Sequence, residues 1–199
     1  MDTNSRIRRL DMNNSLVSRR LLSALALVAL AIAIPALAHA GPPAPAVPQQ
    51  IKVVDGYKPF VVAHAVGVQI HECIHDAGGY RWRFAGPRAD LYGDNGKLIA
   101  THFAGPSWQA RDGSKVTATL DGNGSVMVDS TAIPWLRLRV TSATSGSDGD
   151  RLVAVKYIQR INTAGGLAPA AGSCNAATLG RVAEMPYTAD YVFWKTTGN

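Results

Sequence analysis

Five consecutive residues, His71-Glu72-Cys73-Ile74-His75, spell H-E-x-x-H. On a helix that spacing puts two imidazoles on one face for a zinc ion, with a glutamate placed to activate the bound water, as in zinc proteases. Gly78 falls where the longer pattern H-E-x-x-H-x-x-G-x-x-H has its glycine, but Arg81 fills the slot of the third ligand. A guanidinium offers no lone pair to a metal. The surrounding run is also patterned as a strand. Val68, Ile70, Glu72 and Ile74 share one face, while Gln69, His71, Cys73 and His75 share the other. At ~3.3 Å per residue, His71 and His75 would stand roughly 13 Å apart, too far for one ion, and Glu72 would point away from both. The motif therefore predicts no protease site. A lesser metal site stays open, with His71 and Cys73 joined by His64 or His102, provided that Cys73 is a free thiolate.

Other residues suggest binding more than bond-breaking. Ser107, His102 and Asp112 have the types of a nucleophilic triad, but "AGPSW" at 104–108 is no nucleophile elbow, because Gln109 stands where G-x-S-x-G needs its second glycine. A Gly-Pro turn accounts for that stretch. Trp108 lies between this turn and the charged turn "RDGSK" at 111–115. It is the aromatic residue expected at a pocket mouth, with His102 beside it and Asp112 and Lys115 as rim groups. The remaining Trp and Tyr side chains read as core. Gln159, Arg160 and Asn162 form a second polar cluster, read as the wetted outward face of a strand end.

The elements that hold these residues are strands. "VGVQIHECI" at 66–74, "YRWRF" at 80–84, "KLIATHF" at 97–103, "KVTATL" at 115–120, "WLRLRVTSAT" at 135–144, "RLVAVKYIQRI" at 151–161 and "YTADYVFW" at 187–194 alternate or are rich in β-branched residues. Gly-, Asp- and Asn-bearing turns separate them: "DAGG" at 76–79, "GDNG" at 93–96, "RDG" at 111–113, "DGNG" at 121–124 and "SGSDGD" at 145–150. No long apolar run has a helical period. The expected fold is all-β, an antiparallel β-sandwich or barrel in a single domain. Residues 163–180 form one long loop of small residues, with a short helix conceivable around 175–183.

The first 40 residues read as an export signal. A charged region with Arg6, Arg8, Arg9, Arg19 and Arg20 precedes the run "LLSALALVALAIAIPALAHA", and Ala38 and Ala40 suit a signal peptidase. Cleavage is placed after Ala40; Pro35 and the small-residue exit argue against a retained membrane anchor. "SRRLLSA" at 18–24 also fits a twin-arginine signal loosely, so the route stays open between that and general secretion. Residues 41–50 form a Pro/Ala-rich leader, and 51–199 the single β-rich domain. The 159 residues after the cut carry 15 basic and 12 acidic side chains, out of 20 and 14 in the whole chain. That mild surplus, without a basic run, gives no support to nucleic-acid binding or to stable membrane insertion after cleavage. A periplasmic or extracellular location is expected. In such an oxidising compartment the two cysteines of the chain, Cys73 and Cys174, read as one disulfide that anchors the long loop.

Several stretches in order, "GVQIHEC", "RADLYGDNGKLIATHFAGPSWQARDGSKV", "IPWL", "YIQRINTAGGLAPAAGSC" and "YTADYVFW", resemble DUF3455, a family of exported proteins from bacteria and fungi. The resemblance covers nearly all of the chain from about residue 50. It implies an exported single domain and brings no catalytic residues. No G-x-G-x-x-G follows a strand, so a dinucleotide cofactor has no support, and no cofactor is expected. Two classes of function remain. The first is non-catalytic binding of a small molecule, a glycan or an envelope protein. The second is an exported enzyme, conceivably a metal-assisted hydrolase. The first is preferred because no acid–base or nucleophile set stands out.

Overall fold

The computed structural model describes residues 41–198; the expected signal segment, 1–40, lies outside the described residues. Eight antiparallel strands follow one another around a closed barrel: β1 (Tyr57–Asp76), β2 (Gly79–Tyr92), β3 (Leu98–Phe103), β4 (Ser107–Ala110), β5 (Lys115–Val126), β6 (Trp135–Thr144), β7 (Tyr157–Gly165) and β8 (Val182–Thr196). The ring closes where β1 pairs with β8, from Tyr57 opposite Thr196 to Glu72 opposite Val182. The fold is thus all-β, and of the two architectures expected it is the barrel. Closure leaves no free sheet edge.

Two stretches depart from the expected pattern. Residues 151–155 are turns, not strand, and "DGNG" at 121–124 lies inside β5. There the pairing with β6 skips from Leu120 to Ser125, so the four residues form a bulge instead of ending the strand. The bulge lets Asp121 accept from Arg137 Nε at 2.8 Å and from Arg139 Nε at 3.0 Å on the outer surface.

Many inward positions of the barrel are small. Ala63, Ala65, Ala89, Ala100, Ala110, Ala118 and Ala189 surround Trp108, Tyr191 and Phe193 in one buried cluster. Gly67 continues the series: a Cβ there would lie 2.2 Å from the Arg88 carbonyl oxygen, so only glycine lets β1 and β2 approach. A second core lies outside the ring. Ile51 and Val53, with Val47 at its edge, pack over Tyr157, Ile161, Val192 and Trp194. Gln159 ties the two layers, donating to Ile51 O at 2.7 Å and accepting from Trp194 Nε1 at 2.9 Å.

One end of the barrel is plugged. The chain between β6 and β7 folds under it, burying Leu152 and Val155. Asp112 fixes this plug: its carboxylate accepts from Ser114 Oγ at 2.6 Å and from the Arg151 amide at 2.8 Å. Ser114 Oγ in turn accepts from the Leu152 amide at 3.1 Å. Ser114→Ala leaves that buried amide without a partner and is expected to destabilise the fold by about 1–3 kcal/mol. Urea unfolding measures the change, and an unchanged midpoint would mean that the plug holds without this relay.

The opposite end carries the β1–β2 hairpin and the loop between β7 and β8. The disulfide forms between Cys73 and Cys174, 101 residues apart in sequence. It anchors the long loop to β1, as expected. The loop contains only short 3-10 turns, at Ala171–Ser173 and Ala176–Thr178; Asn175 caps the second.

Candidate functional site

The polar face of β1, not the Val/Ile face, points into the barrel. Gln69, His71 and Cys73 are buried there, whereas Glu72 sits outside and pairs with Arg83 at 2.5 Å. His75 is exposed beside the Tyr80 ring, 4.4 Å between centroids. The two histidines of H-E-x-x-H therefore lie in different environments, separated along a strand. The lesser metal site fails too. Cys73 is consumed by the disulfide, and no three His, Cys, Asp or Glu side chains among the described residues are arranged to hold one metal ion. His64 is on the outer surface, its two ring nitrogens 2.7 Å from Asp190 and 3.0 Å from Asp94. Hydrogen bonds to Asp94 and Asp190 raise its pKa and so favour the protonated ring between the two carboxylates.

The interior face opens into a cavity of about 210 Å³ at the loop-bearing end, beside the half-exposed ring of Phe84. Its walls are largely apolar, formed by Trp108, Leu136, Leu138, Tyr191 and the Pro87 and Pro106 rings. Gln69, His102 and Arg160 are the polar side chains of its lining, with Tyr191 as the hydroxyl-bearing ring.

Strand register explains the set. His102 of β3 stands directly opposite Trp108 of β4, so their rings stack at 4.3 Å and 8°. Tyr191 meets both rings edge-on, at 5.0 and 5.5 Å. Arg160 of β7 pairs with Tyr191 of β8 on one side and with Leu136 of β6 on the other. Its Nε and Nη2 both donate to Pro134 O, at 3.2 and 2.8 Å.

Protonation states follow from burial. His102 donates Nδ1–H to Ser107 O at 2.9 Å. Burial drives its pKa down to about 3, so the ring is neutral with a lone pair on Nε2. Burial pushes the Tyr191 hydroxyl up, and the charge of Arg160 only partly offsets it. That hydroxyl stays protonated, 3.4 Å from the Tyr187 hydroxyl. Two further donors have no partner: Gln69 Nε2 and Trp108 Nε1, in side chains 3% and 1% exposed.

The predicted site residues divide. Trp108 and His102 do meet at one cavity, but Trp108 forms its buried wall instead of its mouth, because its position on β4 points inward. Asp112 and Lys115 belong to the β4–β5 end of the barrel and do not line the cavity. Ser107 also stays apart from Asp112, its hydroxyl 3.0 Å from Thr117. The polar cluster at 159–162 is likewise split. Gln159 faces the outer core, Arg160 the cavity, and Asn162, at φ 51°, donates to Asp190 outside. Arg160 and Gln69 are the functional candidates that sequence reasoning missed. The available signal was parity: Ile158 and Arg160 share a face, so a buried Ile158 turns Arg160 inward.

Among known proteins, the family described as "Protein of unknown function (DUF3455)" matches residues 55–195. The chain belongs to the DUF3455 family. The match runs from the turn before β1 to the last residues of β8 and so takes in every strand of the barrel. No curated protein matches the chain, and neither does any solved structure. The function of this DUF3455 member must therefore be argued from its cavity.

Proposed function

We propose that this protein is an exported binding domain that holds a small ligand in the open end of its barrel and does not transform it. One observation carries the reading: two side chains that line an apolar cavity, Gln69 and Trp108, each hold a buried donor without a hydrogen-bonding partner. A buried donor without a partner costs about 1–3 kcal/mol, and a ligand acceptor would recover that cost. An apolar pocket with a few convergent polar groups is the usual form of a small-molecule site. The neutral His102, stacked on Trp108 and hydrogen-bonded to a main-chain carbonyl, has no carboxylate to orient it as a base. Export is supported by the N-terminal charged and apolar runs and by the disulfide. The apolar interior, with ion pairs such as Arg88–Glu184 on the outer face, is the reverse of a membrane-spanning barrel.

Naphthalene, a neutral probe that fits the cavity, is expected to change the tryptophan fluorescence of the folded protein. In Trp108→Phe most of that response should vanish. If naphthalene gives no signal in either protein and no added mass by native mass spectrometry, the cavity is not a binding site. Partial loss of the response in Trp108→Phe alone would point instead to Trp82, Trp135 or Trp194.

A further inference from the structure

Arg160 is the one formally charged side chain lining the cavity. The ion pairs among the described residues involve His64, Arg81, Arg83, Arg88, Arg137 and Arg139, and none involves Arg160. A half-buried guanidinium against apolar walls, with no carboxylate nearby, is poorly compensated. Its two bonds to Pro134 O fix the plane of the group, and the Tyr191 hydroxyl is a further hydrogen-bonding neighbour. The other polar groups of the lining are neutral: Gln69, the Trp108 indole N–H, His102 with its Nε2 lone pair, and the Tyr191 hydroxyl, which lies 3.4 Å from the Tyr187 hydroxyl. One positive charge among neutral groups is complementary to a single anionic acceptor.

We propose that the ligand is a small monocarboxylate, with its carboxylate on Arg160 and its flat apolar body between Trp108, Leu136, Leu138 and Phe84. This rests on the binding reading above and names the chemistry of the same site. Charge count favours a monoanion. A phosphate dianion would need a second cation, and the cavity lining has none. Size limits the body: a dry cavity of ~150 Å³ accepts benzene, so about 210 Å³ with an open mouth suits roughly ten non-hydrogen atoms. The pinned guanidinium is already oriented, so binding requires little reordering of the protein.

The test compares trans-cinnamate with cinnamamide, which have the same shape and differ in charge. Calorimetric titration of the folded, disulfide-bonded protein should give cinnamate at least about tenfold tighter binding, consistent with a charge-assisted hydrogen bond. Added salt should narrow that gap. Arg160→Gln should lower cinnamate affinity far more than cinnamamide affinity and so remove the preference, and Arg160→Lys should restore part of it. Equal affinities in the unmodified protein would overturn the carboxylate assignment while the cavity reading stood. Binding of neither probe at millimolar concentration would remove the cavity reading itself. If Arg160→Gln does not fold, the unmodified protein's two affinities and their salt dependence decide the matter.

Discussion

Replacing Cys73 and Cys174 together by alanine is expected to lower the free energy of unfolding by ~4–5 kcal/mol. The bridge closes a loop of about 100 residues, and in the chain-entropy view such a crosslink removes much of the freedom of the unfolded chain. It also joins elements that backbone pairing holds only at their ends. The Gly180 amide donates to Cys73 O and the Cys73 amide to Arg181 O, while the middle of the long loop is tied through Cys174 and a Trp82 Nε1–Ser173 Oγ bond of 3.0 Å. Either single replacement should cost nearly as much as both, because one missing sulfur opens the same loop. Guanidinium unfolding with and without reductant makes the measurement. A difference below about 1 kcal/mol would show that the barrel, not the bridge, limits the unfolded ensemble.

The second large effect is sensitivity to acid. The folded ring of His102 resists protonation down to about pH 3, whereas in the unfolded chain it takes a proton near its ordinary value of 6.5. Below pH 6.5 the unfolded state therefore binds more protons, and stability falls as pH falls. At pH 5 the expected loss from this ring is about 2 kcal/mol, from the gap between pH and the unfolded pKa. His71, lowered chiefly by burial, acts in the same direction. His64 acts oppositely: its pKa is raised, so its contribution is full below 6.5 and is lost as pH rises through the folded value. His102→Asn, whose amide can still reach Ser107 O, should flatten the dependence between pH 7 and 5. Urea midpoints at the two pH values provide the comparison. Equal slopes in both proteins would place the acid sensitivity elsewhere.

The β-barrel was largely legible because its local signals agree. Period-two apolar runs, Gly-bearing turns and a lone cysteine pair all pointed to the same class of fold. What stayed hidden depends on which face of a strand is the inner one. On β1 the sequence offers Val66, Val68, Ile70 and Ile74 against Gln69, His71 and Cys73, and apolarity alone would turn the first set inward. The barrel does the opposite, since its interior must also house a cavity and the disulfide. Residues 151–155 read as strand because Leu152, Val153 and Val155 are β-branched or apolar. They are instead the hydrophobic half of a plug, which needs the same residue types without the strand geometry. Asp112 was selected for its charge and position near Trp108. Its carboxylate serves the plug, and ion pairing or ligand contact has no part in that. Arg160 was set aside as surface because charged residues seldom turn inward, which is also why its inward placement is informative.

The seam of the ring joins β1 to β8, strands separated by the whole length of the domain. A ribosome delivers β1 well before β8, so the barrel cannot close until β8 has been made. Until then the Ala-lined face of β1 has no partner on one side, and the outer layer around Ile51 lacks Val192 and Trp194 to rest on. Completion is thus a single late event dominated by distant contacts, of the kind that folds slowly. A nascent chain with this connectivity stays open until β8 arrives. A stop codon anywhere before β8 yields no smaller barrel, only an open sheet with two raw edges.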